Sequence, residues 1–194
     1  MGIAAVLTSA DGEVLAGLAA AAVRATLARA PIDGRPPGST CLRALGSSFV
    51  TLERSGSLRG CVGTLDAARP LYRDVCRNAL RAMADPRVAA VTADEWPTLA
   101  VSVAVLSPPE PLPAGNLKEL YGRLRPAVDG LIVAVGARQA TFLPAVWRKL
   151  PDPVAFVRAL LVKGGWPGDR LPDGARLLRY TAEEFHDGGT HEPL

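Results

Sequence analysis

Cys61 is one of three cysteines in this chain of 194 residues, and its neighbours set it apart from the other two. Arg59 precedes it by two positions, and Gly60 and Gly63 remove side chains on either side. A thiolate is a nucleophile, and a nearby guanidinium favours that charged form. Residues two apart on a strand project to one face, so Arg59 and Cys61 are expected side by side. The glycines admit a ligand close to the backbone, or allow angles closed to other residues. Nucleophilic catalysis needs this pairing of activation and access. A packing role competes with it, because cysteine is among the residues most often fully buried.

Other candidates for chemistry are few. Cys41 and Cys76 have no C-x-x-C partner and read as structural, and the odd count is no disulfide framework. Both histidines, His186 and His191, fall in the last nine residues, which read as a loose tail over 186–194. A Ser-His-Asp triad or a Cys-His dyad would have to recruit from that tail. There is no Walker loop, no G-x-G-x-x-G after a strand, no G-x-S-x-G elbow and no H-E-x-x-H. No metal site is expected, and no cofactor is evident. A general base for Cys61 would have to come from Glu95, Asp66 or Lys163 folding in beside the thiol.

The elements that must position this segment follow from periodicity. A helix is expected over residues 11–30, capped by Asp11, with Val14, Leu15, Leu18 and Ala22 on one face. "PIDGRPPGST" is a loop by composition. "SFVTLER" and "LRGCVGTL" flank the turn cluster "SGS" and read as a β-hairpin with Cys61 on its second strand. A helix then starts at Pro70, with Leu71, Val75, Ala79 and Ala82 inward. Arg69, Arg73, Arg77 and Arg81 recur by four on its other side. They could meet phosphates, but read better as a solvated face. Asp85 caps a short turn in "DPRVAAV", and Thr92 with Glu95 has capping-box spacing.

"LAVSVAVL" (residues 99–106) reads as a strand, ended by the prolines of "SPPEPLP". A short helix follows over 116–124. "GLIVAVG" and "ATFLP" flank "ARQ" as a second hairpin, and Pro144 opens a short helix. "DPVAFVRALLVKGG" is a helix with Asp152 as cap and Gly164 as stop. "ARLLRYTAEEF" supplies a last strand. Each hairpin is thus followed by helices, which fits either a duplicated unit or a coincidence of order, and in both cases an α+β class without Rossmann-like alternation.

Composition narrows the function classes. Hydrophobic content of 48% and charged content of 21% suit a globular core. A net charge of +3 is small beside the footprint of a dedicated nucleic-acid binder, so nucleic acid is not expected as a partner. No stretch has the length of a membrane span, no signal peptide is legible, and Val6 stands where a myristoylation signal wants Ser or Thr. A cytoplasmic location with reduced thiols is the expectation.

"SFVTLERSGSLRGCVGTL", "PLYRDVCRNALRAMADPRV", "LAVSVAVLSPPEPL", "DGLIVAVGARQATFLPAVWRKLPDPVAFVRALLVKGG" and "RYTAEEF" follow one another in the order seen in the AMMECR-type family. The chain resembles that family, which includes component A of the AmmeMemoRadiSam system, over most of residues 45–185. The hallmark L-R-G-C-I-G stands here as "LRGCVG", with Val62 for Ile. The resemblance implies one α+β domain over 1–185, with possible halves about 1–110 and 111–185. It also implies two β-hairpin-plus-helices repeats sharing one barrel-like, mainly antiparallel sheet.

Carried over by position, the hallmark marks Cys61 as the catalytic candidate and Arg59, Gly60 and Gly63 as ligand-binding. Asn78 and Arg87 also match, as does Lys163, although Gly164 and Trp166 depart from the family's Lys-Ala-Gly-Leu run. The implied partners are a radical SAM enzyme and a Memo-like protein, itself similar to extradiol-type dioxygenases. The small-molecule ligand is unknown. Two functions follow: a ligand-binding or cysteine-based catalytic component, or a non-catalytic adaptor that presents a substrate to a partner. Nucleic-acid binding through the arginine face ranks below both.

Overall fold

A computed structural model describes residues 7–194, so the reading at Val6 lies outside the described residues. These divide into two compact units, residues up to Leu106 with Glu183–Leu194, and Ser107–Ala182. Helix α1 is Ser9–Leu27. Its cap is Thr8, with Asp11, three residues on in the first turn, the partner in a reciprocal capping box, so Asp11 supports the cap it was expected to be. A short α2 (Thr40–Arg43) ends the proline-rich loop. β1 (Leu45–Gly46) leads into β2 (Ser48–Arg54) and β3 (Ser57–Gly63). β4 (Arg69–Pro70) pairs back onto β1 and opens α3 (Leu71–Ala82), and a 3₁₀ helix (Ala93–Thr98) precedes β5 (Leu99–Leu106).

The second unit starts with β6 (Glu110–Pro111) and α4 (Leu117–Arg123). β7 (Gly130–Val135) and β8 (Arg138–Phe142) form its hairpin. A 3₁₀ helix (Pro144–Arg148), α5 (Pro153–Lys163) and β9 (Arg176–Tyr180) follow. β10 (Ala182–His186) then returns to the first unit's sheet. The expected single last strand is therefore two strands in two sheets, divided at Thr181.

The class is α+β with antiparallel pairing, and the shared sheet is corrected. Two separate four-stranded sheets form, ordered β10-β5-β2-β3 and β6-β9-β7-β8, beside the two-stranded β1-β4. In each, the post-helix strand (β5 or β9) pairs with the first hairpin strand. In each, the fourth strand (β10 or β6) lies next to that post-helix strand. The connectivity of hairpin, helix and strand is thus repeated.

Both hairpins turn in two residues rather than three. Ser55 and Gly56 have φ of 51° and 75°, which matches the strand twist as a type I′ turn does. Gly136 alone carries the positive φ, 57°, in the second turn.

Alternation in β2 buries Ser48, Val50 and Leu52. With Val101 and Val103 of β5, Val50 and Leu52 join Leu15, Ala19 and Val23 of α1 and Val75 and Ala79 of α3 in one core. The second core gathers Leu131, Val133, Phe156, Val157 and Leu160, with Trp147 stacked on Phe156 at 3.9 Å. The Trp147 indole N–H donates to the Asp129 carbonyl at 2.7 Å, which satisfies its buried polar end.

The arginine face is smaller than the spacing suggests. Arg69 lies before the helix and pairs with the buried Asp74 at 2.8 Å, and Arg73 donates to the Tyr72 hydroxyl. Arg77 and Arg81 are exposed. The C-terminal residues, expected to be loose, are hydrogen-bonded to β5 and to the 3₁₀ helix before it: Asp187 N–H donates to the Val101 carbonyl and His191 N–H to that of Pro97.

Candidate functional site

β3 is an edge strand, and its motif is braced from three sides. The first brace explains Gly60. A Cβ there would stand 1.9 Å from the carbonyl oxygen of Ala82, so α3 ends directly against the strand. Glycine is required here by close approach, a role no other residue can fill. Gly63 likewise admits the ring of Phe49, which a Cβ would meet at 2.2 Å.

The second brace is Arg59. Leu52 pairs with Gly60 while Glu53 pairs with Leu58, so Arg59 is the extra residue of a β-bulge. Simple alternation therefore does not place its side chain. Its Nε donates to Glu95 Oε1 at 2.7 Å and its Nη2 to Oε2 at 3.0 Å, a two-point pairing. Glu95 is buried in the 3₁₀ helix, where its Oε2 also accepts the Thr92 N–H. The Arg59 hydrogen bonds, aided by Thr92, hold its carboxyl down at about 2.

The third brace satisfies the open edge at Cys61. Thr51 and Cys61 face each other across the ladder, and the Cys61 backbone groups point outward. Its N–H donates to Asp85 Oδ2 at 3.0 Å, and its carbonyl accepts from Arg87 Nη2 at 2.8 Å. Asp85 and Arg87 also pair with each other at 2.6 Å. Two side chains thus take the place of a neighbouring strand on the edge. Arg87, with help from the Cys61 and Arg87 backbone N–H groups, holds the Asp85 carboxyl far below its ordinary range. Asp85 also accepts from the Arg87 N–H two residues on, the Asx-turn geometry that "DPR" encodes.

The Cys61 side chain leaves on the other side of this arrangement. It is a half-buried free thiol, 3.4 Å from the Thr51 hydroxyl. Thr51 also pairs with Ser102 of β5, so a thiol and two hydroxyl residues form a row across three strands.

The remaining predicted residues sort plainly. Asn78 is fully buried. Its amide donates to the Ser48 carbonyl at 3.1 Å and to Asp74 Oδ2 at 2.9 Å. Asp74 Oδ2 also accepts from Ser48 N–H, Ser48 Oγ and Thr64 Oγ1. Asn78 therefore ties α3 to β2 and to the residue after Gly63. Lys163 belongs to the second unit, where its ammonium donates to the Thr141 carbonyl at 2.9 Å and lies over the Phe142 ring. Of the three proposed bases, Glu95 is engaged by Arg59, Asp66 is exposed, and Lys163 holds β8.

Asp85 stood as a cap in the sequence, and its bond to Cys61 was missed because the two are 24 positions apart. Thr51 and Asp74 carried no local signal. Among the described residues, no three His, Cys, Asp or Glu side chains are placed to hold a metal ion. None of the described helices is long and apolar enough to cross a membrane. A shallow cleft of about 340 Å³ in the second unit, bordered by Leu112, Glu119, Arg123 and Leu177, contains none of the motif residues.

Comparison with known proteins fits this geometry into a lineage. The profile of the AMMECR1 family matches residues 16–185. The chain belongs to the AMMECR1 family. An AMMECR1 relative from Methanothermobacter thermautotrophicus is 37% identical over 144 residues, covering 73% of this chain and 75% of its own. One from Thermofilum pendens is 31% identical and covers 92% of this chain and 91% of its own. The crystal structure of the uncharacterized protein PH0010 from Pyrococcus horikoshii superposes with a TM-score of 0.84 at 30% identity, over 94% of this chain and 97% of that one.

Proposed function

We propose that this AMMECR1-family protein binds a ligand or a partner protein through the Arg59–Gly63 segment, with Cys61 as a contact residue rather than a nucleophile. The observation that carries this reading is the bracing. The backbone on both sides of Cys61 is fixed by Arg59–Glu95 and by Asp85–Arg87, while the half-exposed thiol meets one neutral hydroxyl. A rigid edge with a small contact side chain is preorganised for recognition. A nucleophile needs a base within hydrogen-bond reach, and the two carboxylates that brace the segment, Glu95 and Asp85, are already engaged by arginines. The family resemblance supplies the partners: a radical SAM enzyme and a Memo-like protein of one pathway, in which this chain is a small component.

Calorimetric titration of the purified protein against each of those two proteins from the same genome tests the reading. Binding is expected from the wild type, retained within about threefold by Cys61→Ser and lost by Cys61→Trp, which fills the contact surface. Equal binding by all three chains would remove Cys61 from the contact. The second reading, a cysteine-based catalytic component, is favoured by the Arg87 guanidinium on the Cys61 carbonyl. It expects Cys61 to be alkylated rapidly in the native protein, and pathway activity to disappear in Cys61→Ser.

A further inference from the structure

We propose that the C-terminal segment from Asp187 to His191 is a pH-sensitive latch, closed while His191 is protonated and weakened when it loses its proton. This goes beyond the binding reading and does not depend on it. The segment lies along β5 and on the 3₁₀ helix at Ala93–Thr98. Asp187 Oδ1 accepts the N–H of Val101 and of Gly189, each at 3.1 Å. Asp187 N–H returns a bond to the Val101 carbonyl, and His191 N–H donates to the Pro97 carbonyl. The His191 ring stacks on Trp96 at 3.9 Å with planes 12° apart.

The switch lies in the second carboxylate oxygen. Asp187 Oδ2 is buried and has no hydrogen bond, and its charged partner is His191 Nε2 at 3.1 Å. The two side chains are only 4% and 14% exposed. The same nitrogen lies 3.0 Å from the Leu99 carbonyl, a bond that a neutral ring with its proton on Nε2 also makes. The ion pair exists only with the charged ring, and a cation stacked on indole gains further from the ring quadrupole. Burial opposes charging the imidazole. A neutral ring leaves the buried Asp187 Oδ2 without that counter-charge.

No other charge on the packed elements takes over this role. β5 carries none. On the 3₁₀ helix, Asp94 accepts from the Thr92 hydroxyl and Glu95 is held by Arg59 and Arg54. His186 and Glu192 flank the segment, and β10 beside β5 carries Glu183 and Glu184. Because Trp96 follows Glu95 directly, the latch closes on the helix that holds Arg59.

Amide hydrogen exchange of Val101 and Asp187 tests the latch in the full chain. Their protection factors are to be measured at about pH 5 and about pH 8, across which a histidine changes charge. Wild-type protection is expected to fall by about tenfold on going to the higher pH, the weight of one charge-assisted contact. His191→Gln and Asp187→Asn are each expected to show no such fall, while the Val50 amide stays protected and reports an intact core. Protection in the wild type that is equal at both pH values overturns the latch. So does a fall that persists in His191→Gln. Should Asp187→Asn fail to fold, His191→Gln alone decides.

Discussion

Behind β3, the chain leaving α3 reaches back to the strand's outer edge and places Arg87 on the Cys61 carbonyl. Behind β8, the last residue of α5, Lys163, does the same to the Thr141 carbonyl. The two carbonyls are equivalent. Arg54 pairs with Ser57 and Val135 with Arg138 next to the turns. Stepping outward past the bulge at Arg59, Gly60 matches Ala140 and Cys61 matches Thr141. The side chains at the matched position then part ways. Thr141 Oγ is locked between the Leu131 carbonyl at 2.9 Å and the Tyr180 hydroxyl at 2.7 Å, whereas the Cys61 thiol has a single longer contact of this kind among the described residues, to the Thr51 hydroxyl at 3.4 Å. One repeat closes its side chain into packing and the other leaves a polarizable group half-exposed. A shared scaffold with one unlocked position is where recognition is expected to reside.

The comparison breaks most sharply at Gly60. Gly60→Ala is expected to destabilise by more than about 3 kcal/mol, because the new methyl meets backbone at Ala82 and not a side chain that can move. The matched change Ala140→Gly should cost only about 1 kcal/mol, from a lost methyl and added chain entropy. Urea unfolding of both variants measures the difference, and equal costs would dissolve the asymmetry between the hairpins.

Glu95→Gln ranks next, at about 2 kcal/mol near neutral pH, since it leaves the Arg59 guanidinium without its carboxylate. Arg59 holds the folded Glu95 carboxyl down at about 2, below its ordinary 4.5. Its folded value is depressed, so its stabilisation is fully present above about pH 4.5 and fades as pH falls toward 2. The gap between wild type and Glu95→Gln should therefore close over that window. A constant gap would mean that the pair does not contribute through charge.

Asp85→Asn should cost about 1 kcal/mol and speed exchange of the Cys61 amide, because it weakens the donor's charged partner. Lys163→Met tests the matching brace, and for an exposed lysine a loss below about 0.5 kcal/mol is expected. Thr51→Val should change stability least. It is expected to alter the rate of Cys61 alkylation instead, since it removes the hydroxyl beside the sulfur.

Much of the local structure was readable from side-chain type alone. The α5 boundaries follow from Asp152, Pro153 and Gly164, and the Thr92–Glu95 box from its spacing. Gly60 stood out as a glycine read for ligand approach or for unusual backbone angles. What approached it, the Ala82 carbonyl, had no counterpart in the pattern. The bulge defeated the alternation that placed Arg59 beside the thiol, because one extra residue in a strand leaves no mark on composition. Asn78 was marked by resemblance as a ligand contact, yet its complete burial and its bonds to Ser48 and Asp74 make it a tie between α3 and β2. The tail looked loose because it lacks periodicity, while its anchors, Val101 and Trp96, lie some ninety positions away.

Most elements, the places of the turns and the LRGCVG segment were determined by the sequence itself, since propensity, capping and hydrophobic period act between near neighbours. The split into two four-stranded sheets was decided only in three dimensions, as was the return of β10 to the first unit. So was the pairing of Asp85 and Arg87 with the Cys61 backbone. Those outcomes depend on which unsatisfied edge or charge meets which distant partner, and that matching is a property of the packed chain rather than of any stretch of it.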